Sequence, residues 1–425
     1  MGPIAQFFHN LFSMGGTAVV LAGTFLICFI GYALGRIKIK GISLGDSGVF
    51  IVALLFGWLF TLPVLKELPI LSRFYISGSA TTAFANYKFI QTVGLVLFVT
   101  SVGYIAGPRF FKNLKKNAKS YVPLGAIIII VGVAIAVLFA LIPGIGADFS
   151  NGILSGALTS TPAFSAAQEV AENSGLVSLG HAIAYPFGVI GVVVFVQLMP
   201  KLLKADMAHE CELIKGSPKA EEGSEKKKTK KLFSLEEHGF AAFGLAVVLG
   251  ILLGSIKIPL TAAGFDGACF SLGNTGGPLI VALVLGHFGR IGSLNLKVSE
   301  HMLKIFREFG LILFLAGAGV EGGVELVAQV SASTYGPMII LYGFIAGAVM
   351  TVVPLIVGFV LAKKVFKLQL LNNLGSLTGG MTSTPALGTL IGVSGSDDVA
   401  AAYASTYPVA LVLVVLASNL IGTFI

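Results

Sequence analysis

Charge is what this chain has least of. Asp, Glu, Lys and Arg make up 11% of its 425 residues, while 55% are hydrophobic. A soluble domain carries about 25% charged residues, so an ordinary water-facing surface is excluded. Gly16 to Gly35 holds no charge at all. Uncharged runs long enough to cross a bilayer also cover 47–65, 89–108, 120–147, 173–200, 239–256, 267–286, 336–362 and 399–425. With 309–328, apolar apart from two Glu, they make ten ordinary spans. Cysteine is scarce too: Cys28, Cys211 and Cys269 show no CxxC or other ligand spacing, which leaves neither a disulfide framework nor a thiolate metal site. No metal site and no cofactor are expected.

Embedded acids are nearly absent as well. Only Glu321 and Glu325 fall inside a span, near the end of the ninth, where solvent is their expected partner. Membrane-embedded carboxylates are the default proton relays, so obligatory exchange or sodium coupling is easier to build here than proton symport. His181 lies at the mouth of a span and reads as a structural residue. Nothing within the spans reads as a catalytic triad or a zinc-hydrolase motif, which argues against an enzyme. Met1 to Met14 lacks a basic n-region, so the first apolar run reads as a retained helix, not a signal peptide.

What is present is a phrase said twice. Gly152, Gly156, Thr159, Ser160, Thr161, Pro162 and Ala163 return as Gly375, Gly379, Thr382, Ser383, Thr384, Pro385 and Ala386. LGRIKIK at Leu34 resembles LGSIKIP at Leu253, SLGDSG at Ser43 resembles SLGNTGG at Ser271, and Gly94–Gly107 matches Gly310–Gly323 glycine for glycine. Tyr185-Pro186 and Tyr407-Pro408 follow the two phrases and read as kinks with packed or interfacial tyrosines. The chain therefore divides into a first membrane repeat, 1–200, and a second, 238–425. The linker between them, 201–237, holds nine Lys and eight acids and cannot bury a core.

Topology follows from the basic residues. If the polar segments, about 149–170 and 372–396, are re-entrant, each half crosses five times. The loops on one side then carry 24 of the 28 Lys and Arg. Full crossings by both segments would give 19 against 9. The positive-inside rule selects the first model, with both termini outside and the linker cytoplasmic. Five crossings per half invert the second repeat relative to the first. The expected fold is an all-α polytopic membrane protein of two inverted repeats, each with five transmembrane helices and one re-entrant, broken hairpin. The net charge of +8 is thus a matter of cytoplasmic loops, and no nucleic-acid partner is expected.

Non-helical backbone survives in a bilayer only when buried in protein or lining a wet cavity. Pro162 and Pro385 place each break at the Thr-Ser-Thr run, with the proline opening the following half-helix. Such a helix start points free amides at the cavity and favours an anion. Thr159, Ser160, Thr161, Pro162, Thr382, Ser383, Thr384 and Pro385 are accordingly the candidate substrate site. Gln168 either contacts substrate or caps its segment. Gly152, Gly156, Gly375, Gly379, Pro186 and Pro408 are the candidate structural and hinge positions, with Gly156 and Gly379 admitting close helix approach. The alternative is that these Ser, Thr and Pro only kink helices.

Gly94–Phe111 (GLVLFVTSVGYIAGPRFF), Gly156–Ala167 (GALTSTPAFSAA), Gly379–Ala386 (GGMTSTPA) and Tyr403–Pro408 (YASTYP) resemble the bacterial aspartate:alanine exchanger family of duplicated-domain transporters. The resemblance covers nearly the whole chain. It implies an inner-membrane secondary carrier for a small anionic or zwitterionic substrate such as aspartate, alanine or succinate, and a homodimer in the lipid bilayer. An elevator-type motion would slide a core against a scaffold along the glycine-rich helices. Many members carry globular regulatory domains between the repeats, and Lys201 to Glu237 is too short to fold as one. A weaker similarity of architecture links the chain to sodium-dependent glutamate symporters, whose Gly-Gly-His hairpin signature it lacks. Possible Na+ coupling stays open, and a channel is the lesser alternative.

Overall fold

The computed structural model describes residues 15–39, 42–43, 47–68, 71–78, 81–116, 119–214, 236–259, 264–266 and 269–425. Met1 to Met14, the middle of the SLGDSG motif and most of the charged linker, with Lys226 to Lys231, lie outside the described residues. The first half supplies α1 (Thr17–Gly35), α2 (Ser47–Leu59), α3 (Thr82–Lys116), α4 (Tyr121–Ala140), α5 (Ala147–Ala157), α6 (Thr161–Val170) and α7 (Ser174–Leu202). A short linker helix, α8 (Met207–Ile214), follows. The second half repeats the series as α9 (Phe240–Gly254), α10 (Gly273–Phe288), α11 (Glu300–Ala332), α12 (Met338–Lys364), α13 (Leu370–Gly380), α14 (Thr384–Ser394) and α15 (Ala400–Phe424). The similar LGRIKIK and LGSIKIP motifs lead into equivalent two-residue hairpins, with Lys38 opposite Ser43 and Ile258 opposite Phe270.

Each of the ten expected spans contains one helix, and seven are long and apolar enough to cross a membrane. The others, α2, α9 and α10, have 13, 15 and 16 residues. The uncharged run 47–65 overestimates α2 because Pro63 ends it. Leu62, ahead of the proline, is extended (φ −70°, ψ 126°).

Helices sort into two interleaved bundles. One apolar core draws on α4, α5, α7, α8 and α12–α15, and so surrounds both broken segments. Another joins α1–α3 to α10 and α11 and takes in Phe164, Ala166 and Ala167 of α6. A third packs α9 against Tyr104 of α3 and Leu303 of α11.

The repeats meet at equivalent points. A Cβ built on Gly94 would lie 2.7 Å from the carbonyl oxygen of Gly310, and one built on Gly310 would lie 2.7 Å from that of Gly94. Further along, Gly103 abuts the Leu279 carbonyl of α10, while Gly319 abuts the Phe50 carbonyl of α2. Lipid offers no hydrophobic drive for helix association, so backbone approach of this kind supplies the packing.

The two broken segments meet different neighbours at their outer ends. Before α5, the carbonyl of Pro143 accepts from Tyr335 Oη at 2.6 Å in the α11–α12 connection. At the end of α14, the carbonyl of Ser394 accepts from Cys211 Sγ of the linker helix at 3.2 Å.

Because backbone atoms close off Gly94 and Gly310, replacing either by Val should cost about 1–3 kcal/mol through overpacking. The expected readout is a lower thermal unfolding midpoint of the detergent-purified protein. A midpoint equal to that of Gly244→Val, at a position with open space, would refute the close crossing.

Candidate functional site

Each broken segment interrupts its helix with three residues, Leu158-Thr159-Ser160 and Met381-Thr382-Ser383. The turn is the same in both. The Ser160 amide donates to Ser155 O at 2.9 Å and the Thr159 amide to Gly156 O at 2.9 Å. The Ser383 amide donates to Thr378 O at 2.9 Å and the Thr382 amide to Gly379 O at 3.1 Å. This paired pattern is a Schellman helix end, whose left-handed residue is usually glycine. Here it is threonine, with φ 52° at Thr159 and 51° at Thr382. A β-branched residue in this region is strained by about 1–2 kcal/mol, so something must offset it.

The offset is a reciprocal exchange. Thr159 Oγ1 donates to the Met381 carbonyl at 3.1 Å, and Thr382 Oγ1 donates to the Leu158 carbonyl at 2.7 Å. Each break thus satisfies the carbonyl that the other exposes. Both threonines are nearly buried, at 8% and 7% exposure.

The supports are duplicated too. Ser150 Oγ of α5 donates to Ala136 O of α4 at 2.6 Å, and Asn373 Nδ2 of α13 donates to Phe359 O of α12 at 3.1 Å. Gly156 lies against the His181 carbonyl of α7 and Gly379 against the Tyr403 carbonyl of α15, each 2.7 Å from a built Cβ. Gly152 and Gly375 meet Val177 and Val399 in the same way. Pro186 and Pro408 lie inside α7 and α15. Pro162 and Pro385 stand in the first turn of α6 and α14, as expected from sequence.

Thr159 and Thr382 are therefore brought together, with Ser160–Pro162 and Ser383–Pro385 next to them in the chain, and Gln168 is not part of that crossing. It lies six residues beyond Pro162, about 9 Å along a helix. There it accepts from Gln91 Nε2 of α3 and donates to Ser178 Oγ of α7, both at 2.9 Å. The next residue, Glu169, accepts from the amides of Asn274 and Thr275 at the start of α10.

Glu321 corrects the sequence reading. It is 3% exposed and pairs with Lys88 Nζ of α3 at 2.8 Å, while Ser174 Oγ of α7 donates to the same oxygen. Burial forces that pairing, since an unpaired charge would be costly there. Glu325 also has protein partners, accepting from Gln329 Nε2 at 3.1 Å. Gln329 Oε1 in turn accepts from Asn173 Nδ2 at 2.7 Å. The spacing of Glu321, Glu325 and Gln329 by four residues was the available signal of a polar helix face.

His181 is buried within α7, not at its mouth. Its Nδ1 lies 2.9 Å from Ser155 Oγ, and its ring stacks on Phe164 with centroids 4.0 Å apart. Among the described residues, no group of three His, Cys, Asp or Glu is placed to hold a metal ion. The crossing offers hydroxyls, amides and carbonyls, which suit reversible binding.

Thr159→Val and Thr382→Val keep the β-branch and its strain but remove the donor. Each should destabilise the protein by about 1–3 kcal/mol, the cost of an unsatisfied buried carbonyl. The shorter bond of Thr382 makes its loss the larger. Thermal midpoints measured in nanodiscs should show this order, and no change in either variant would disprove the reciprocal bonding.

A family model described as Predicted Permease Membrane Region matches residues 23–201 and 242–423, leaving only the linker region between its two segments. The chain is 28% identical to an uncharacterized transporter of Bacteroides fragilis, over 94% of this chain and 97% of that protein. It is 26% identical to an uncharacterized transporter of Rhodopirellula baltica (92% and 97%) and 24% identical to a putative transport protein of Dichelobacter nodosus (97% and 99%). The first alignment runs over 552 positions against a chain of 425 residues, so that relative carries sequence this chain lacks.

Proposed function

The chain belongs to the aspartate:alanine exchanger family of membrane permeases, and from that premise we propose that it is a secondary active transporter for small carboxylates or amino acids. Aspartate, alanine and dicarboxylates such as succinate define the substrate class. Substrate rests at the crossing of the two breaks and reaches each side by alternating access. The observation that carries this reading is the reciprocal bonding of Thr159 and Thr382. Strained non-glycine backbone persists only where the surroundings over-determine it, and it concentrates at functional sites.

The different neighbours of the two hairpins, the α11–α12 connection for one and the linker helix for the other, support entry from opposite faces. That agrees with inverted repeats whose broken segments meet near the midplane. The two apolar cores support an elevator motion, in which the bundle holding both breaks moves against α1–α3 and α9–α11. In this reading the protein is a homodimer of the inner membrane, with termini outside and the linker in the cytoplasm.

Exchange is favoured over proton coupling because, among the described residues, no carboxylate bonds to the break residues. Glu321 is tied to Lys88 and Ser174, and Glu169 to α10. Sodium coupling is the second reading, favoured by the hydroxyls and carbonyls at the crossing.

Counterflow in proteoliposomes tests both. Vesicles loaded with unlabelled aspartate, alanine or succinate should take up labelled aspartate or succinate without a sodium gradient, whereas empty vesicles should not. Sodium-driven uptake into empty vesicles would instead establish a symporter. Replacing both Thr161 and Thr384 by Val should reduce exchange at least a hundredfold, about 2.7 kcal/mol of lost transition-state stabilisation. Unchanged transport in that variant would remove the motif from the mechanism.

A further inference from the structure

The two breaks share a backbone and differ in one capping contact. Ser160 (φ −100°, ψ 99°) and Ser383 (φ −93°, ψ 95°) hold the same extended conformation at the heads of α6 and α14. The Ser160 hydroxyl accepts from the Ala163 amide at 3.3 Å and closes the start of α6. Ser383 makes no such bond. Its Oγ is fully buried and, among the described residues, has no hydrogen-bond partner. The surroundings differ in the same sense, for Pro162 is buried and Pro385 is exposed.

Backbone geometry does not explain the difference. A turn about one side-chain bond would let Ser383 cap α14 as Ser160 caps α6, yet the hydroxyl stays unpaired where buried polar groups are normally satisfied. Without that cap, the first amides of an eleven-residue helix stand beside an unused donor, next to the exposed Pro385. Helix starts in this condition favour negative charge. Pro385 has no N–H, so the available donors are the backbone amides of Thr384 and Ala386 and the Ser383 hydroxyl. A carboxylate can accept from these donors through its two oxygens.

We infer that the start of α14 is a carboxylate subsite built from Ser383 Oγ and the Thr384 and Ala386 amides, while α6 is closed by its own serine. This rests on the reading that substrate binds at the breaks, and it assigns the substrate's carboxylate to one of the two. The duplicated phrase thus carries divided roles: both copies fix the crossing through their threonines, and only the second leaves its serine and helix start to receive the anion.

The test compares wild type with Ser383→Ala, Ser383→Thr and Ser160→Ala. Purified protein in nanodiscs is titrated with succinate, aspartate and glutamate while thermal unfolding is followed, and succinate counterflow is measured in parallel. Ser383→Ala should raise the half-saturating succinate concentration at least tenfold more than Ser160→Ala does, and Ser383→Thr should restore most of the affinity. Without ligand, Ser160→Ala should lower the unfolding temperature more than Ser383→Ala, because only Ser160 makes a cap.

Equal losses of affinity in the two Ala variants would keep substrate at the breaks but overturn its assignment to α14. Ligand protection that neither variant alters would move the site elsewhere and remove both readings. A wild type protected by none of the three carboxylates would overturn the anion subsite. So would a Ser383→Ala protein that fails to fold, since the hydroxyl would then be structural.

Discussion

Everything in this molecule depends on how two broken helices satisfy their backbone away from water. An unpaired amide or carbonyl in hydrocarbon costs several kcal/mol, and a helix end exposes several at once. The Schellman turns at Thr159 and Thr382 recover part of that loss within each hairpin. The rest is recovered between hairpins, where each threonine hydroxyl reaches the carbonyl exposed by the other break. Because the partners are equivalent residues, the arrangement works only if the halves face each other about a local two-fold relation. The Gly94–Gly310 crossing has the same reciprocal pattern, so equivalent residues exchange contacts both at the breaks and between the long helices α3 and α11.

Upon that symmetry lies an asymmetric set of polar ties. The far end of α6 and the start of α7 are held to the other bundle by Gln168 on Gln91, Glu169 on α10, Ser174 on Glu321 and Asn173 on Gln329. Among the described residues, the equivalent end of α14 meets Cys211 of the linker helix. A typical hydrogen bond contributes about 0.5–1.5 kcal/mol net, and bonds to charged groups about 1.5–3. Four such ties are therefore comparable in size to the few kcal/mol that separate two accessible conformers. A repeat-built fold needs asymmetry of this kind to rest in one state, since identical halves would favour neither.

Much of this was legible in the residues. The duplicated Thr-Ser-Thr-Pro phrase located both breaks within a residue or two, because proline dictates where the second half-helix starts. The matching glycines of Gly94–Gly107 and Gly310–Gly323 suggest a surface on which a core slides along a scaffold, whereas Gly94 and Gly310 pack α3 directly on α11 within one bundle. What the sequence hid depends on distant pairing. Lys88 and Glu321 are 233 positions apart, and nothing local to Glu321 reveals that it is buried. Gln168 was open between two roles, and its bonds to Gln91 and Ser178 involve other helices. Span lengths erred where hydropathy continues past a proline, as at Pro63, because apolarity reports burial and not backbone geometry.

The identity of the strained residue is itself informative. Glycine would occupy the left-handed position without strain, and serine would offer the same hydroxyl. Threonine combines the donor with a β-branch that restricts χ1, so its hydroxyl is held in few orientations. Occupying the position with threonine in both halves sacrifices backbone ease for a fixed donor. That exchange is useful only if the carbonyls of Leu158 and Met381 must stay in place while neighbouring groups change partners. A fixed crossing flanked by one capped and one uncapped helix start is what such a requirement looks like in atoms. In the proposed reading, the strain at Thr159 and Thr382 positions the substrate site, and the unpaired Ser383 hydroxyl beside it meets the anion.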